Sequence, residues 1–379
     1  MHPEEARKLF FKEVDNCYWN PKLSIKVAPN GDRTIVTSAA LQKDEPLVVL
    51  NKNASFSAAK CIEHSKENIS TIPKSIIIPA YLYQVYTKHG ANVPDGYSYY
   101  FDSLPTYEWY AQNHELLKVY LQLTESRKEE LKESCFLFDQ INSLSEWAKQ
   151  LPEHQLDKEQ AIRSVLITMT RCWPSSIGLV PWLDFSNHHY DGSVLKNEGT
   201  TITASHEYEE NEEVNVSYGL KDSLQLLNIY GYETKEKTVG IKFPSISTFA
   251  LASDPSLKAY AHASASATCL LGKNLRNFDF FISHMRLCVF NKFDALAVSD
   301  LGTEYKTFLN ERNELEALKL SLSIIQSTRK DIEELKTKTK EFMQTFPESF
   351  ENDFKGKEEV LDNVIKKIYK HWLDLLKES

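Results

Sequence analysis

The period of the apolar positions changes several times along this chain. From Pro3 to Asn16, Leu9, Phe10 and Val14 recur at helical spacing behind an acidic first turn, which predicts a helix. From Ser24 the runs become short and β-branched: Lys26-Val27, then Thr34 to Thr37, then Pro46 to Leu50. The turn dipeptides Asn30-Gly31 and Lys43-Asp44 separate them, so this stretch reads as a small antiparallel sheet. Residues 55 to about 170 return to helical spacing. His114 to Leu151 carries Leu116, Leu117, Tyr120, Leu121, Leu123, Leu131, Phe136, Phe138 and Ile141 with Lys and Glu on the other face. Lys158 to Arg171 repeats the pattern with Ile162, Val165, Leu166, Ile167 and Met169. Strand character reappears at Gly178–Leu183, Thr200–Ala204 and Val214–Tyr218, followed by a short helix from Asp222 to Tyr230 that stops at Gly231. Beyond about residue 245 the pattern is helical, with long amphipathic runs at Glu304–Thr345 and Glu358–Lys377. No internal repeat or low-complexity segment interrupts it. The fold class expected is α+β: small β-sheets split by a helical insert, then an all-helical C-terminal lobe.

Composition narrows the reading only modestly. A chain of 379 residues calls for two lobes, or one domain with a large insert. With 42% hydrophobic and 26% charged residues it is expected to be globular. A formal net charge of −9 disfavours direct nucleic-acid or anionic-membrane binding and suits a basic protein partner. Cys17, Cys61, Cys135, Cys172, Cys269 and Cys288 form no C-x-x-C pair, so free thiols in a reducing compartment are expected, and no zinc. The first residues have neither a basic region nor an apolar core, and no apolar run approaches ~18 residues, so no leader and no membrane span are expected. A cytoplasmic or nuclear, monomeric protein is the expectation.

The chemistry-bearing window runs from Thr170 to Tyr232. It holds Arg171, Cys172 and Trp173, then the string Leu179-Val180-Pro181-Trp182-Leu183-Asp184-Phe185-Ser186-Asn187-His188. It closes with Glu212 to Gly219 around Tyr218, and with Tyr230-Gly231-Tyr232. Polar groups on loops beside short strands suit a site better than a core. Piece by piece the signal is weak. An Asn-His pair is usually a turn, a Tyr-Gly pair is often a core tyrosine entering one, and His188-His189 lacks partners at zinc spacing. From the residues alone, a mixed α/β protein with a polar site remains.

Taken together, L-V-P-x-x-D-x-x-N-H, E-E-V-x-V-S-Y-G and Y-G-Y resemble the C-terminal half of a SET domain, in the branch typified by the Rubisco large-subunit methyltransferase. Leu41 to Leu47 resembles that family's I-x-x-G-E turn, Ser103-Leu104-Pro105 its helical insert, and Asn313-Glu314 with Ala317-Leu318 its helical lobe. The family has glycine where this chain has Asp44 and Asn211. Asp and Asn tolerate the left-handed backbone better than other side chains, so the turns can survive. The family's glycine-rich cofactor loop here reads Asn30-Gly31-Asp32-Arg33-Thr34.

The resemblance implies a SET domain over residues 1–240, with its insert at about 55–165, and a helical substrate-binding domain over 245–379. It implies an S-adenosyl-L-methionine-dependent protein-lysine methyltransferase that needs no metal. Tyr218 is then the catalytic residue. Arg33, Arg171, Asn187, His188 and Tyr232 are implied to hold cofactor, and Trp173, Asp184 and Tyr230 to hold substrate. An actin-modifying relative that methylates histidine carries a small amide where this chain has Trp173, which favours lysine here. Similarity to fungal ribosomal-protein lysine methyltransferases implies a basic substrate, with the stalk-base protein of the large ribosomal subunit favoured. No Cys-rich segment follows Tyr232, as it does in histone-directed relatives. The alternatives are a histidine methyltransferase and a catalytically silent SET fold acting as a binding module.

Overall fold

A computed structural model describes residues 2–14, 16–51, 54–87, 90–132, 135–151, 156–173, 178–196, 201–219, 223–232, 240–242, 270–272, 278–289 and 310–378. Packing divides the chain into two compact units, Met1–Gly219 with Leu227–Tyr232, and Leu220–Leu226 with Glu233–Ser379.

In the first unit, α1 (Pro3–Glu13) begins on a proline at the first turn and buries Ala6, Arg7 and Phe10. β1 (Tyr18–Trp19), β2 (Leu23–Val27) and β3 (Arg33–Thr37) follow. β2 and β3 form an antiparallel hairpin in register Leu23↔Thr37 to Val27↔Arg33, with Leu23 and Ile25 turned inward. β4 (Pro46–Val49) does not extend that hairpin, as its pattern had led us to expect. It pairs with β1 and with β7 (Thr201–Thr203), and β6 (Leu195–Lys196) closes a sheet of order β1-β4-β7-β6. Successive residues Leu47 and Val48 are both 1% exposed, so β4 is covered on both faces and needs partners on both edges.

The insert is helical, as expected, but more finely divided. The run from His114 to Leu151 is three helices, α6 (Glu115–Gln122), α7 (Glu125–Leu131) and α8 (Phe136–Ala148). Thr124 stops the first and caps the second by accepting from the Arg127 amide. α3 (Ile77–Tyr86), buried from Ile77 through Gln84, packs on α9 (Lys158–Arg171) and forms the insert's core. α9 ends where the sequence placed it, which leaves Arg171 in its last turn.

Two expected strands take another form. Gly178–Leu183 makes one bridging residue, Leu179, between Phe56 and Cys172, and then turns into a 3-10 helix, Leu183–Phe185. Pro181 has no N–H to give a ladder, and Trp182 adopts φ 71°, left-handed backbone that a bulky residue enters only under constraint. Trp182 is fully buried edge-on against Phe10, Tyr100 and Phe185, and that cluster supplies the constraint. Val214–Tyr218 is likewise a bridging segment. Val214 donates to Ile35 O at 2.8 Å, and Val216 lies parallel to His188 and Ser193 of β5 (His188–Ser193), a strand the pattern missed. Asp44 and Asn211 have φ 65° and 66°, so both non-glycine turns do use left-handed backbone. The helix before Gly231 is Ser223–Tyr230; Asp222 lies outside the described residues.

The second unit holds a two-stranded antiparallel pair, Gly240–Lys242 with Leu270–Gly272, and long helices Phe278–Cys288, Glu311–Lys338 and Pro347–Glu378. The Glu304–Thr345 run begins at Glu311, capped by Asn310; residues 304–309 lie outside the described residues. Asn313, Glu314, Ala317 and Leu318 are all 0% exposed, so that motif builds core. Glu314 receives both Arg286 (2.6 and 2.9 Å) and His371 (2.7 Å), which ties the three helices together. Val360, Leu361, Val364 and Ile368 of the last helix are fully buried as well. Among the described residues no helix is long and apolar enough to cross a membrane.

Two glycines make opposite demands. A Cβ on Gly178 (φ +79°) would lie 2.0 Å from Phe56 O, whereas one on Gly219 (φ +80°) meets nothing within 4 Å. Gly219→Ala should therefore cost only the left-handed backbone, about 1–2 kcal/mol. Gly178→Ala adds loss of the Phe56–Leu179 bridge, on the order of 4 kcal/mol in all, or roughly 10 °C in Tm. Thermal melts of the two variants check the difference, and equal melts would contradict it.

Candidate active site

Tyr218 sits where the bridging segment ends, just before the left-handed turn at Gly219. Its hydroxyl donates to Ser186 O at 2.8 Å, and its amide donates to His188 Nδ1 at 3.1 Å. The same Nδ1 lies 3.4 Å from Val216 O, so the imidazole is fixed against the backbone of the bridging segment. The rings form a ladder: His188 lies 4.9 Å from Tyr218 at 16°, and Tyr218 lies 4.7 Å from Tyr230 at 22°. Burial pushes the Tyr218 and Tyr230 phenols well above their ordinary range. Tyr218 is thus a neutral phenol at physiological pH. With its proton committed to Ser186, its oxygen lone pairs remain available to a ligand.

Beside the ladder lies a cluster of charge. Asp184, from the 3-10 helix, accepts from Tyr100 OH at 2.8 Å. Arg171 Nη1 donates to the Asp184 carbonyl at 2.8 Å and stands 3.8 Å from its carboxylate. Arg33 and Arg171 lie 5.6 and 5.1 Å from the Phe185 ring centre. Burial, and then the neighbouring Arg171 charge, hold the Arg33 guanidinium below its usual range. Nε of both arginines is buried with no hydrogen-bond partner among the described residues. Asp184 and Asp32, which also lines the site, balance the two cations in number, so what the arginines offer a ligand is buried N–H donors, which suit a carboxylate.

Arg33, Arg171, Asp184, Phe185, His188, Tyr218 and Tyr230 line one cavity of about 450 Å³ in the first unit, and Asn187 and Tyr232 line it too. Asn30 and Asp32 come from the loop that resembles the family's cofactor loop, and Thr170 opens the chemistry-bearing window; Trp109, Tyr110, Asn113 and His114 of the insert carry no such signal in the sequence. Trp109 donates to Asn30 O at 3.1 Å and packs over Gly31, and Tyr110 OH meets Thr170 Oγ1 at 2.9 Å. The insert thereby reaches the hairpin turn. The 107–114 segment is an ordinary helix start in sequence, and only tertiary contact reveals it. Of the residues singled out, Arg33, Arg171, Asp184, Asn187, His188, Tyr218, Tyr230 and Tyr232 come together. Trp173, on which the lysine-versus-histidine distinction rests, is not among the lining residues. Among the described residues no group of three or more His, Cys, Asp or Glu is arranged to hold a metal ion.

No family model matches the chain, and no curated protein does. Solved structures similar to it include the SET domain of LSMT bound to MeLysine and AdoHcy (TM-score 0.47, 15% identity, covering 98% of this chain and 92% of that one). Rubisco LSMT bound to Sinefungin and Monomethyllysine has TM-score 0.47 and 15% identity over 99% and 93%. Rubisco LSMT bound to AdoMet has TM-score 0.47 and 14% identity over 98% and 93%. At this level of likeness, what the cavity can do is decided by its own residues.

Burial raises the Asp184 carboxyl from 3.8 to about 6, against the opposing pull of Arg171 and the Tyr100 hydrogen bond. Between those values the folded state holds a proton that the unfolded chain releases. This group's contribution is therefore full below the unfolded value and is lost as pH rises through about 6. His114, held down to about 4 by burial from an ordinary 6.5, works in the opposite direction over an overlapping range. Subtracting the parent from Asp184→Asn isolates the carboxyl. The variant should gain on the parent by on the order of 3 kcal/mol between pH 4 and 6 and then level off. Chemical denaturation at stepped pH measures it, and a flat difference would show that the shift is absent.

Proposed function

We propose that the chain is an S-adenosyl-L-methionine-dependent protein-lysine N-methyltransferase of SET type, with Tyr218 at its catalytic centre. The observation that carries this reading is the Tyr218 phenol, neutral, fixed through Ser186 O, and stacked between His188 and Tyr230 beside two buried guanidiniums. The residue pattern that resembles the SET family converges on that same cavity.

The cavity suits the cofactor. About 450 Å³ is within the range of small-molecule sites. Arg33 and Arg171 would hold the carboxylate, each with an Nε still to be satisfied. Asn187 and His188 would serve the amino-acid and nucleoside portions, and Tyr232 and Trp109 offer aromatic surface. When bound, the sulfonium supplies an electrophilic methyl group.

The chain's own contribution is to deliver a neutral amine in one orientation. Lysine's ordinary pKa of ~10.4 leaves little free base near neutrality, and desolvation beside the stacked Tyr218 and Tyr230 rings shifts it toward the neutral form. The Tyr218 oxygen, unable to act as a base at this pH, accepts an N–H of that amine and turns its lone pair toward the methyl donor. Fixing one hydrogen bond in advance removes orientational freedom that would otherwise oppose reaction. Asp184 serves chiefly to hold Arg171 and Tyr100 in place. The net charge of −9 suits a basic protein substrate, and a large-subunit ribosomal protein fits both that charge and the resemblance. We further assign residues 1–240 to the catalytic domain and 245–379 to substrate recognition. Labelled cofactor added to a lysate lacking the enzyme, with mass spectrometry of the labelled band, tests both acceptor residue and partner.

Tyr218→Phe removes one oxygen and keeps the ring stack. Turnover in single-turnover methyl transfer should fall ~30- to 1,000-fold while cofactor affinity stays near the parent's. A folded, cofactor-binding variant with parental turnover would remove Tyr218 from the chemistry. Asn187→Ala should weaken S-adenosylmethionine binding by ~1–3 kcal/mol in calorimetry. Unchanged affinity would place Asn187 outside the site.

A further inference from the structure

Glu213 is hydrogen-bonded to Asn187 of the cavity wall and has been given no role. It is half-buried, and its Oε1 accepts from Thr34 Oγ1 at 2.6 Å and from Asn187 Nδ2 at 2.7 Å. These partners stand 179 and 26 positions away in sequence. Glu213 is itself bridged to Val36 of β3, and Val216 N donates to the Asn187 carbonyl at 2.9 Å. The carboxylate is therefore held against both the hairpin and the Asn-His turn.

A carboxylate can only accept hydrogen bonds, so the Asn187 side chain must turn its NH2 toward Glu213. Its Oδ1 is then the atom left for the cavity. The geometry points to Glu213 as a positioning residue that fixes this amide orientation and so makes Asn187 an acceptor for a ligand ammonium. Arg33 and Arg171 offer only donors, which suit a carboxylate. The two features together select a zwitterionic α-amino-acid group over an acid that lacks the amine. The inference rests on the cofactor reading above and adds to it the residue that sets amine recognition.

Glutamine in place of Glu213 carries its own NH2, so it can satisfy Asn187 in either orientation and the preset is lost. Calorimetry with S-adenosylhomocysteine, and with its analogue lacking the α-amino group, reads the preference. The parent should favour the amino-bearing ligand by about 10- to 100-fold. Glu213→Gln should bring that ratio to within a few-fold by weakening the amino-bearing ligand alone, and Asn187→Ala added to it should cause little further loss. Equal weakening of both ligands, an unchanged ratio, or additive losses in the double variant would overturn the assignment. The parent gives a second reading that needs no substitution. In NMR spectra the Asn187 side-chain NH2 should keep its shifts when S-adenosylhomocysteine is added, since it remains on Glu213. Displacement of both protons would mean that the NH2 faces the ligand. If the parent binds neither ligand, the cofactor reading fails, and the NH2 shifts of the free protein still report whether Glu213 holds the amide.

Discussion

Asp184 carries a carboxylate with no exposed side-chain surface; its Oδ2 is met from two directions, while Oδ1 is buried with no hydrogen-bond partner among the described residues. Its partners come from separate places: Tyr100 from a helix in the insert, Arg171 from the last turn of α9. Removing one member of such a buried pair typically costs about 3–5 kcal/mol, because the charge left behind cannot return to water. The insert, the α9 terminus and the Leu183–Phe185 turn are therefore locked to one another by charge as well as by packing. That lock presents Arg171 and Phe185 to the cavity. The electrostatics continue outward. Arg33 faces the same ring from the hairpin, so the two guanidiniums come from segments that the chain brings together only on folding.

Much of this was legible in the sequence, for identifiable reasons. α9 and the helix before Gly231 were read closely because their apolar spacing and end signals agree. The Tyr218, Asn187-His188 and Arg171 groups were found because several weak motifs reinforced each other. The substitutions at Asp44 and Asn211 were readable because the two side chains that best tolerate positive φ stand where positive φ is needed. The failures share a cause as well. β4 was assigned to its sequence neighbours although its partners lie on both sides in space. The segments around Leu179 and Val216 have strand composition but share their hydrogen bonds among several partners, and composition cannot report that. Trp109 and His114 carry no local signal of facing a cavity.

Trp182 shows how local preference and tertiary demand divide the work. Left-handed backbone at a bulky residue costs on the order of 1–3 kcal/mol, and nothing in the local sequence compensates for it. The surrounding rings of Phe10, Tyr100 and Phe185 do. The turn they enforce is the one that delivers Asp184 and Phe185 to the cavity. Core packing and site geometry here are the same set of contacts.

The seam between β3 and the Glu212–Val216 segment carries a kinetic consequence. Thr37 N donates to Glu212 O at 2.9 Å and Val214 N to Ile35 O at 2.8 Å, joining residues almost half the chain apart. Closing so long a loop has an entropic cost that few early contacts offset. Helices of the insert, such as α3, and the β2–β3 hairpin need only nearby residues to begin forming, whereas the seam must wait for the Tyr218 segment to arrive. The cavity is thus a late product of assembly. A nascent or partly opened chain can keep its helical content while possessing no site at all, so ligand-binding competence reports the closure of this seam rather than the presence of secondary structure.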